Sequence, residues 1–122
     1  MSNPRKTLGT ALENRVVKRA RAQGLKAHRQ PLSGVLKEFP HDVVVEDLLI
    51  ECKVRSPSIS ISGKKTLRFS LDYLRSVQAD ALKSGFAQGI LIVNAKGDQR
   101  PLAVMDLDWF LTILSQNRHN AQ

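Results

Sequence analysis

The residues Asp42-Val43-Val44-Val45-Glu46-Asp47-Leu48-Leu49-Ile50-Glu51-Cys52-Lys53-Val54-Arg55 decide the fold and hold most of the chemistry. Two β-rich runs, Val43 to Val45 and Leu48 to Ile50, flank Glu46-Asp47. This is a hairpin pattern, although the pair lacks the glycine favoured in two-residue turns. With the reversal there, Val45 faces Leu48, Val44 faces Leu49, Val43 faces Ile50 and Asp42 faces Glu51. Side-chain alternation then puts Val43, Val45, Leu48, Ile50, Cys52 and Val54 on one apolar face, and Asp42, Val44, Leu49, Glu51 and Lys53 on the other. Carboxylates directly opposite on neighbouring strands have Cβ atoms about 4.5–5.5 Å apart and destabilise a sheet unless their repulsion is offset. A divalent cation offsets it: Mg2+ takes oxygen ligands at about 2.0–2.1 Å, commonly one or two carboxylates with water and phosphate. Lys53, on the same face, is placed to hold a water or to stabilise charge on phosphoryl oxygens. The competing reading makes Asp42 and Glu51 solvent-facing strand residues, with Lys53 as their ion-pair partner.

Outward from this core, Leu8, Leu12, Val16 and Ala20 recur every four residues between Thr7 and Gln23, and Gly24 follows as a stop signal, which predicts an amphipathic helix. Glu13 borders that stripe, either as a member of a metal site or as an ion-pair partner of Lys18 or Arg19. Leu25 to Gln30 reads as a short strand and Pro31 to Gly34, with Pro40 beyond, as a loop. On the other side, 56–65 reads as a flexible loop. Leu71, Leu74, Val77, Ala81 and Leu82 mark a second helix ending near Gly85. Gly89 to Asn94 reads as a strand buried on both faces, and Pro101 to Met105 as another strand after a Lys96-Gly97-Asp98 turn. Asp106 is placed to cap a last helix through Trp109, Phe110, Ile113 and Leu114. The order α-β-β-β-α-β-β-α implies an α/β domain over 1–122, a mixed sheet with helices on its faces, with 1–6 and 116–122 as disordered ends.

A chain of 122 residues leaves room for one domain. Its +8 charge points to a polyanionic partner. The charge is unevenly spread: residues 1–29 stand at +7, 30–55 at −2 and 56–85 at +3, so an acidic segment lies between basic ones. A nuclease needs that arrangement, cations for phosphates and carboxylates for a metal, although a merely solvated basic surface also fits. Cys52 is the only cysteine and the histidines number three, which excludes an internal disulfide and a Cys/His zinc cage. Any metal must then be held by oxygen. One Trp, one Tyr and four Phe are little material for base stacking and argue against a single-strand or RNA-sequence reader. No apolar run approaches the roughly 20 residues of a membrane span and no signal-peptide core follows Met1 to Lys6, so the expected location is cytoplasmic, with no membrane partner.

Asp42, then Glu51-Cys52-Lys53, preceded by a helical Glu13, resemble the D-x(n)-E-x-K signature of the PD-(D/E)XK nuclease superfamily. The segment Arg29-Gln30-Pro31-Leu32-Ser33-Gly34 resembles the R-x-x-x-S-G stretch of archaeal-type Holliday junction resolvases. In one departure, His41 precedes Asp42 where the family has proline, with Pro40 one place earlier. The resemblance implies a restriction-endonuclease-like fold and a Mg2+-dependent endodeoxyribonuclease, with Mn2+ able to substitute, cutting four-way or otherwise branched DNA as a homodimer in recombination and repair. It implies Asp42 and Glu51 as metal ligands, joined by the Cys52 backbone carbonyl and by Glu13 through a water. Lys53 would be the catalytic lysine and Ser33 the loop serine near the scissile phosphate. The alternatives are a nuclease of the same fold acting on nicked, flapped or linear duplex, and a non-catalytic nucleic-acid-binding module.

Arg29, Lys64, Lys65 and Arg68, with Ser33, are the candidates for DNA backbone contacts, which carry no sequence information. Gln78, on the apolar side of the second helix, either orients a ligand or water in the pocket or satisfies a backbone group. His41 is a general base, a ligand or a structural residue. Cys52, on the apolar face, is expected to be inert. The last helix, with Trp109, Phe110, Leu111, Ile113 and Leu114, either supplies a dimer surface or closes the core.

Overall fold

The reversal at Glu46-Asp47 forms in the register that alternation requires: Val43 pairs with Ile50, Val44 with Leu49 and Val45 with Leu48. It dispenses with glycine because Glu46 itself takes the left-handed conformation, φ +51°. That conformation is unfavourable for a side-chain-bearing residue and needs support from its surroundings. Lys26 supplies it. The Glu46 N–H donates to the Lys26 carbonyl at 2.8 Å, and the Glu46 carboxylate accepts from the Lys26 N–H at 2.6 Å.

The computed structural model describes residues 4–30 and 42–120. In chain order the elements are α1 (Pro4–Ala22), β1 (Ala27–Arg29), β2 (Val43–Val45), β3 (Leu48–Arg55), β4 (Ser58–Ile59), β5 (Lys65–Thr66), α2 (Leu71–Lys83), β6 (Gln88–Ala95), β7 (Leu102–Val104) and α3 (Leu107–Asn120). Five strands make one mixed sheet in the order β1-β2-β3-β6-β7. The first three form an antiparallel meander, and β6 runs parallel to β3 along its whole length, from Leu48 opposite Gln88 to Arg55 opposite Ala95. A parallel neighbour requires a crossover, and α2 is its helix.

The two faces of the sheet build two cores. On one, Val43, Val45, Ile50, Cys52 and Ile90 pack with Leu12 and Val17 of α1, and Trp109 of α3 closes over them. On the other, Val44, Leu49, Leu91 and Val93 pack with Leu74, Val77 and Ala81 of α2. The apolar set expected on one face of the hairpin is therefore the set that meets α1. Gly89 lets α2 lie close: a Cβ there would stand 2.4 Å from the Val77 carbonyl oxygen.

Several expectations need correction. The segment 56–65 is a small antiparallel ribbon, β4 with β5, rather than a flexible loop. Gly63, at φ +86°, permits its tight turn, and bonds from Ser60 N–H to the Lys64 carbonyl and from Gly63 N–H to the Ser60 carbonyl, both 2.9 Å, close it. Of the expected disordered ends, residues 4–6 are helical, because Pro4 suits the first helical position, where its missing N–H costs nothing. Residues 116–120 are helical as well, since no Gly or Pro interrupts α3. In α1 the buried stripe is Leu12 and Val17 flanked by Val16 and Ala20, while Leu8 is exposed. No helix among the described residues is long and apolar enough to cross a membrane.

Candidate active site

Beyond Val43 the ladder between β2 and β3 changes. The Asp42 N–H donates to the Ile50 carbonyl at 3.1 Å, and the Asp42 side chain takes over where a backbone partner would be, its Oδ2 accepting from the Cys52 N–H at 2.8 Å. The strand thus ends on a carboxylate laid against the edge of β3 at Cys52. Along a strand the N–H and C=O of one residue point to the same side, so the Cys52 carbonyl lies on that edge too. Glu51 and Lys53 flank Cys52 on the opposite face of β3. Glu51 is only 9 % exposed and its Oε1 lies 3.3 Å from the Lys53 ammonium. The regular register ends at Val43 opposite Ile50, so Asp42 is seated on Cys52 rather than paired squarely across from Glu51; Lys53 is the ion-pair partner of Glu51, and Glu51 is buried rather than freely solvated.

Electrostatics bind these groups into one cluster. Burial pushes the Asp42 carboxyl from 3.8 up to about 6, Glu51 and Glu13 add to the rise, and the Cys52 N–H and Lys53 oppose it. Burial, then Asp42, Glu13 and Glu51, push the Cys52 thiol far up as well, so it is a core residue and not a nucleophile or anionic ligand. Glu13 reaches this cluster from α1, but its partner is neither Lys18 nor Arg19. Its Oε1 accepts from Arg29 Nε at 3.1 Å, both side chains being partly buried. Arg29 is thereby a support of the acidic residue first and a candidate phosphate contact second. Its Nη2 is buried without a partner among the described residues.

Two residues that sequence reasoning missed complete the surroundings of Lys53. The Lys53 ammonium lies 4.5 Å from the centroid of the Tyr73 ring, a cation–π contact, and Arg55 Nη2 donates to the Tyr73 hydroxyl at 2.6 Å. Arg55 follows Glu51 and Lys53 at every second residue on β3, a signal alternation already contains. Tyr73 stands one helical turn before Val77, in line with the buried stripe of α2.

Gln78 does not reach the carboxylates. Its Oε1 accepts from Arg75 at 2.9 Å and its Nε2 donates to Asp106 at 3.0 Å, so it ties α2 to the start of α3. Asp106 correspondingly spends its carboxylate on Arg75 and Gln78 rather than on an N–H of α3, and Arg75 holds its carboxyl below the usual range. Lys64, Lys65 and Arg68 are exposed on and after the ribbon. Ser33 and His41 lie outside the described residues.

The donors suit a hard divalent cation: two carboxylates and a backbone carbonyl at one strand end, with a lysine beside them. Among the described residues no three His, Cys, Asp or Glu side chains form a metal cage, and Mg2+ does not need one, since it keeps several waters. No protein-family model matches the chain and no curated protein matches it.

Proposed function

We propose that this chain is a Mg2+-dependent endonuclease for branched DNA, of the Holliday junction resolvase kind, working as a homodimer. The observation that carries this reading is the strand-end cluster, in which Asp42 is seated on the Cys52 N–H with Glu51 and Lys53 on either side of that residue. Asp42, Glu51 and the Cys52 carbonyl would hold the cation, which supplies charge neutralisation at phosphorus and a more acidic water when bound. Lys53, fixed between Glu51 and the Tyr73 ring, stabilises the charge that develops on the phosphoryl oxygens. Arg29 holds the Glu13 carboxylate in place through its Nε–H. The excess of cations outside this cluster binds the DNA backbone without regard to sequence.

Two copies follow from the task. A four-way junction needs two symmetric incisions, and the described residues of each chain build a single carboxylate cluster at the strand end. Closed two-fold dimers are the commonest homo-oligomers. The last helix divides the two roles foreseen for it: Trp109 packs into the core, whereas Leu107, Phe110, Leu111 and Leu114 remain exposed and offer an apolar face to a second copy.

The test is cleavage of a synthetic four-way junction beside a matched linear duplex, with and without Mg2+ or Mn2+. The expected result is metal-dependent incision of the junction, abolished by Asp42→Asn and by Glu51→Gln. No incision of any DNA by the unaltered protein would overturn the nuclease reading. Equal cutting of junction, nicked, flapped and linear duplex would replace the resolvase by a less selective nuclease. A strictly monomeric mass by light scattering, with and without junction DNA, would remove the dimer.

A further inference from the structure

We propose that the β4–β5 ribbon is a DNA-distorting wedge, in which Ile61 enters between base pairs at the branch point while Lys64 and Lys65 hold the adjoining phosphates. This rests on the nuclease reading for its biological setting but on different residues for its physics. The ribbon follows directly on β3: three residues after Lys53 the chain leaves the sheet, and it rejoins the fold at α2, which begins two residues before Tyr73. It therefore projects from the strand end that holds the cluster.

Its surface is unusual for a short exposed hairpin. Ile59 is 65 % exposed and Ile61, at the turn, is fully exposed. Exposed strands and turns ordinarily carry polar groups at such places, and large uncovered apolar residues mark contacts with something else. What covers them is indicated by charge. Lys64, Lys65 and Arg68 stand close by, no acidic residue occurs between Arg55 and Asp72, and Lys65 lies directly across the ribbon from Ile59. An apolar tip bracketed by cations is complementary to a nucleic-acid duplex, whose phosphates flank an apolar stack of bases. Isoleucine is among the side chains that proteins insert between base steps, partly unstacking them and kinking the duplex. At a branch the stack is already interrupted, so insertion there costs less than in continuous duplex, and this difference converts a sequence-independent binder into one that prefers branched DNA.

The ribbon is also preorganised. Besides its two backbone bonds, the Lys64 N–H donates to Ser60 Oγ at 3.0 Å and Ser60 Oγ lies 3.0 Å from Ser62 Oγ, so the turn is held before any partner arrives. A rigid tip loses little conformational freedom on insertion.

The experiment measures binding in EDTA, so that no strand is cut, to four-way junction and linear duplex DNA carrying 2-aminopurine beside the branch or at the matched duplex position. The unaltered protein should raise 2-aminopurine fluorescence on the junction, reporting unstacking. Ile61→Ser should lose that rise and weaken junction binding about tenfold or more, with linear duplex affinity nearly unchanged, whereas Ile61→Leu should keep both properties. No fluorescence rise with the unaltered protein, or a rise and affinity unchanged in Ile61→Ser, overturns the wedge. So does a dimer that becomes monomeric in Ile61→Ser without DNA, because a second copy would then be what covers the tip. A rise with normal Ile61 dependence in a protein that never cuts DNA would leave the wedge standing and remove the nuclease reading alone.

Discussion

Replacing Asp42 by Asn should make the protein more stable at neutral pH while destroying the nuclease activity proposed for it. In the fold the Asp42 carboxyl titrates near 6, against 3.8 ordinarily, because burial and the neighbouring Glu51 and Glu13 disfavour its charge. The native state therefore holds a proton there that the unfolded chain has released between about pH 4 and pH 6. Stability is greatest below that window, falls as pH rises through it, and stays lower above it. The gross change is about 3 kcal/mol at 1.36 kcal/mol per pH unit, and solvent screening of the exposed part of the group reduces it to about 2 kcal/mol. Asn carries no charge yet presents an oxygen to the Cys52 N–H, so Asp42→Asn should recover most of that amount at pH 8 and little of it at pH 4. With a urea slope of about 1.5 kcal/mol/M, the variant's midpoint should lie about 1 M higher at pH 8 and close to that of the unaltered protein at pH 4. Mg2+ at ten times its Kd should raise the unaltered protein by about 1.4 kcal/mol and leave the variant almost unmoved. A variant no more stable than the unaltered protein at pH 8, or a gap independent of pH, would refute the account of Asp42 as a charge held at a cost.

If the chain is the proposed nuclease, Lys53→Ala should lower turnover by about 10²- to 10³-fold with little change in the Mg2+ concentration giving half-maximal activity, because in that proposal lysine acts on developing charge and does not coordinate the cation; normal turnover at saturating metal would contradict this. Lys64→Ala combined with Lys65→Ala should flatten the log–log salt dependence of duplex binding by about 1.8, at about 0.9 for each lost phosphate contact, similarly for all sequences, and an unchanged slope would take the ribbon out of the interface. Gly89→Ala should destabilise the fold by about 2–4 kcal/mol in urea titration, since its methyl group meets the Val77 backbone at 2.4 Å; a change below about 0.5 kcal/mol would mean that α2 does not sit on β6 as described.

What could be read from the chain alone was whatever depends on local periodicity. The hairpin register followed from two apolar runs and one reversal, and with it came the placement of Asp42 near Glu51 and of Lys53 beside it. The partner of Glu13 was not legible, because Arg29 meets it only when α1 is laid across the meander, 16 residues away along the chain. Gln78 shows the same difficulty from the other side. A polar residue beside a buried stripe has to bond with something, but that its partners are Arg75 and Asp106 depends on where α3 begins. Tyr73 and the ribbon were hidden for different reasons: the aromatic ring is used by strand residues far away in sequence, and a serine-rich stretch with one glycine looks like a loop until its cross-strand bonds are known.

Cys52 also gives this molecule a built-in clock. Its thiol is buried and strongly disfavoured as thiolate, first by burial and then by the carboxylates around it, and only the thiolate reacts with alkylating reagents. Labelling must therefore wait for β3 to part from its neighbours, and since Cys52 is the sole cysteine, each label marks one opening at the residue whose N–H holds Asp42. Iodoacetamide uptake followed by mass thus times the breathing of the strand end itself, and anything that cross-links Asp42 to Glu51, a divalent cation foremost, should slow that breathing in proportion to how tightly it binds.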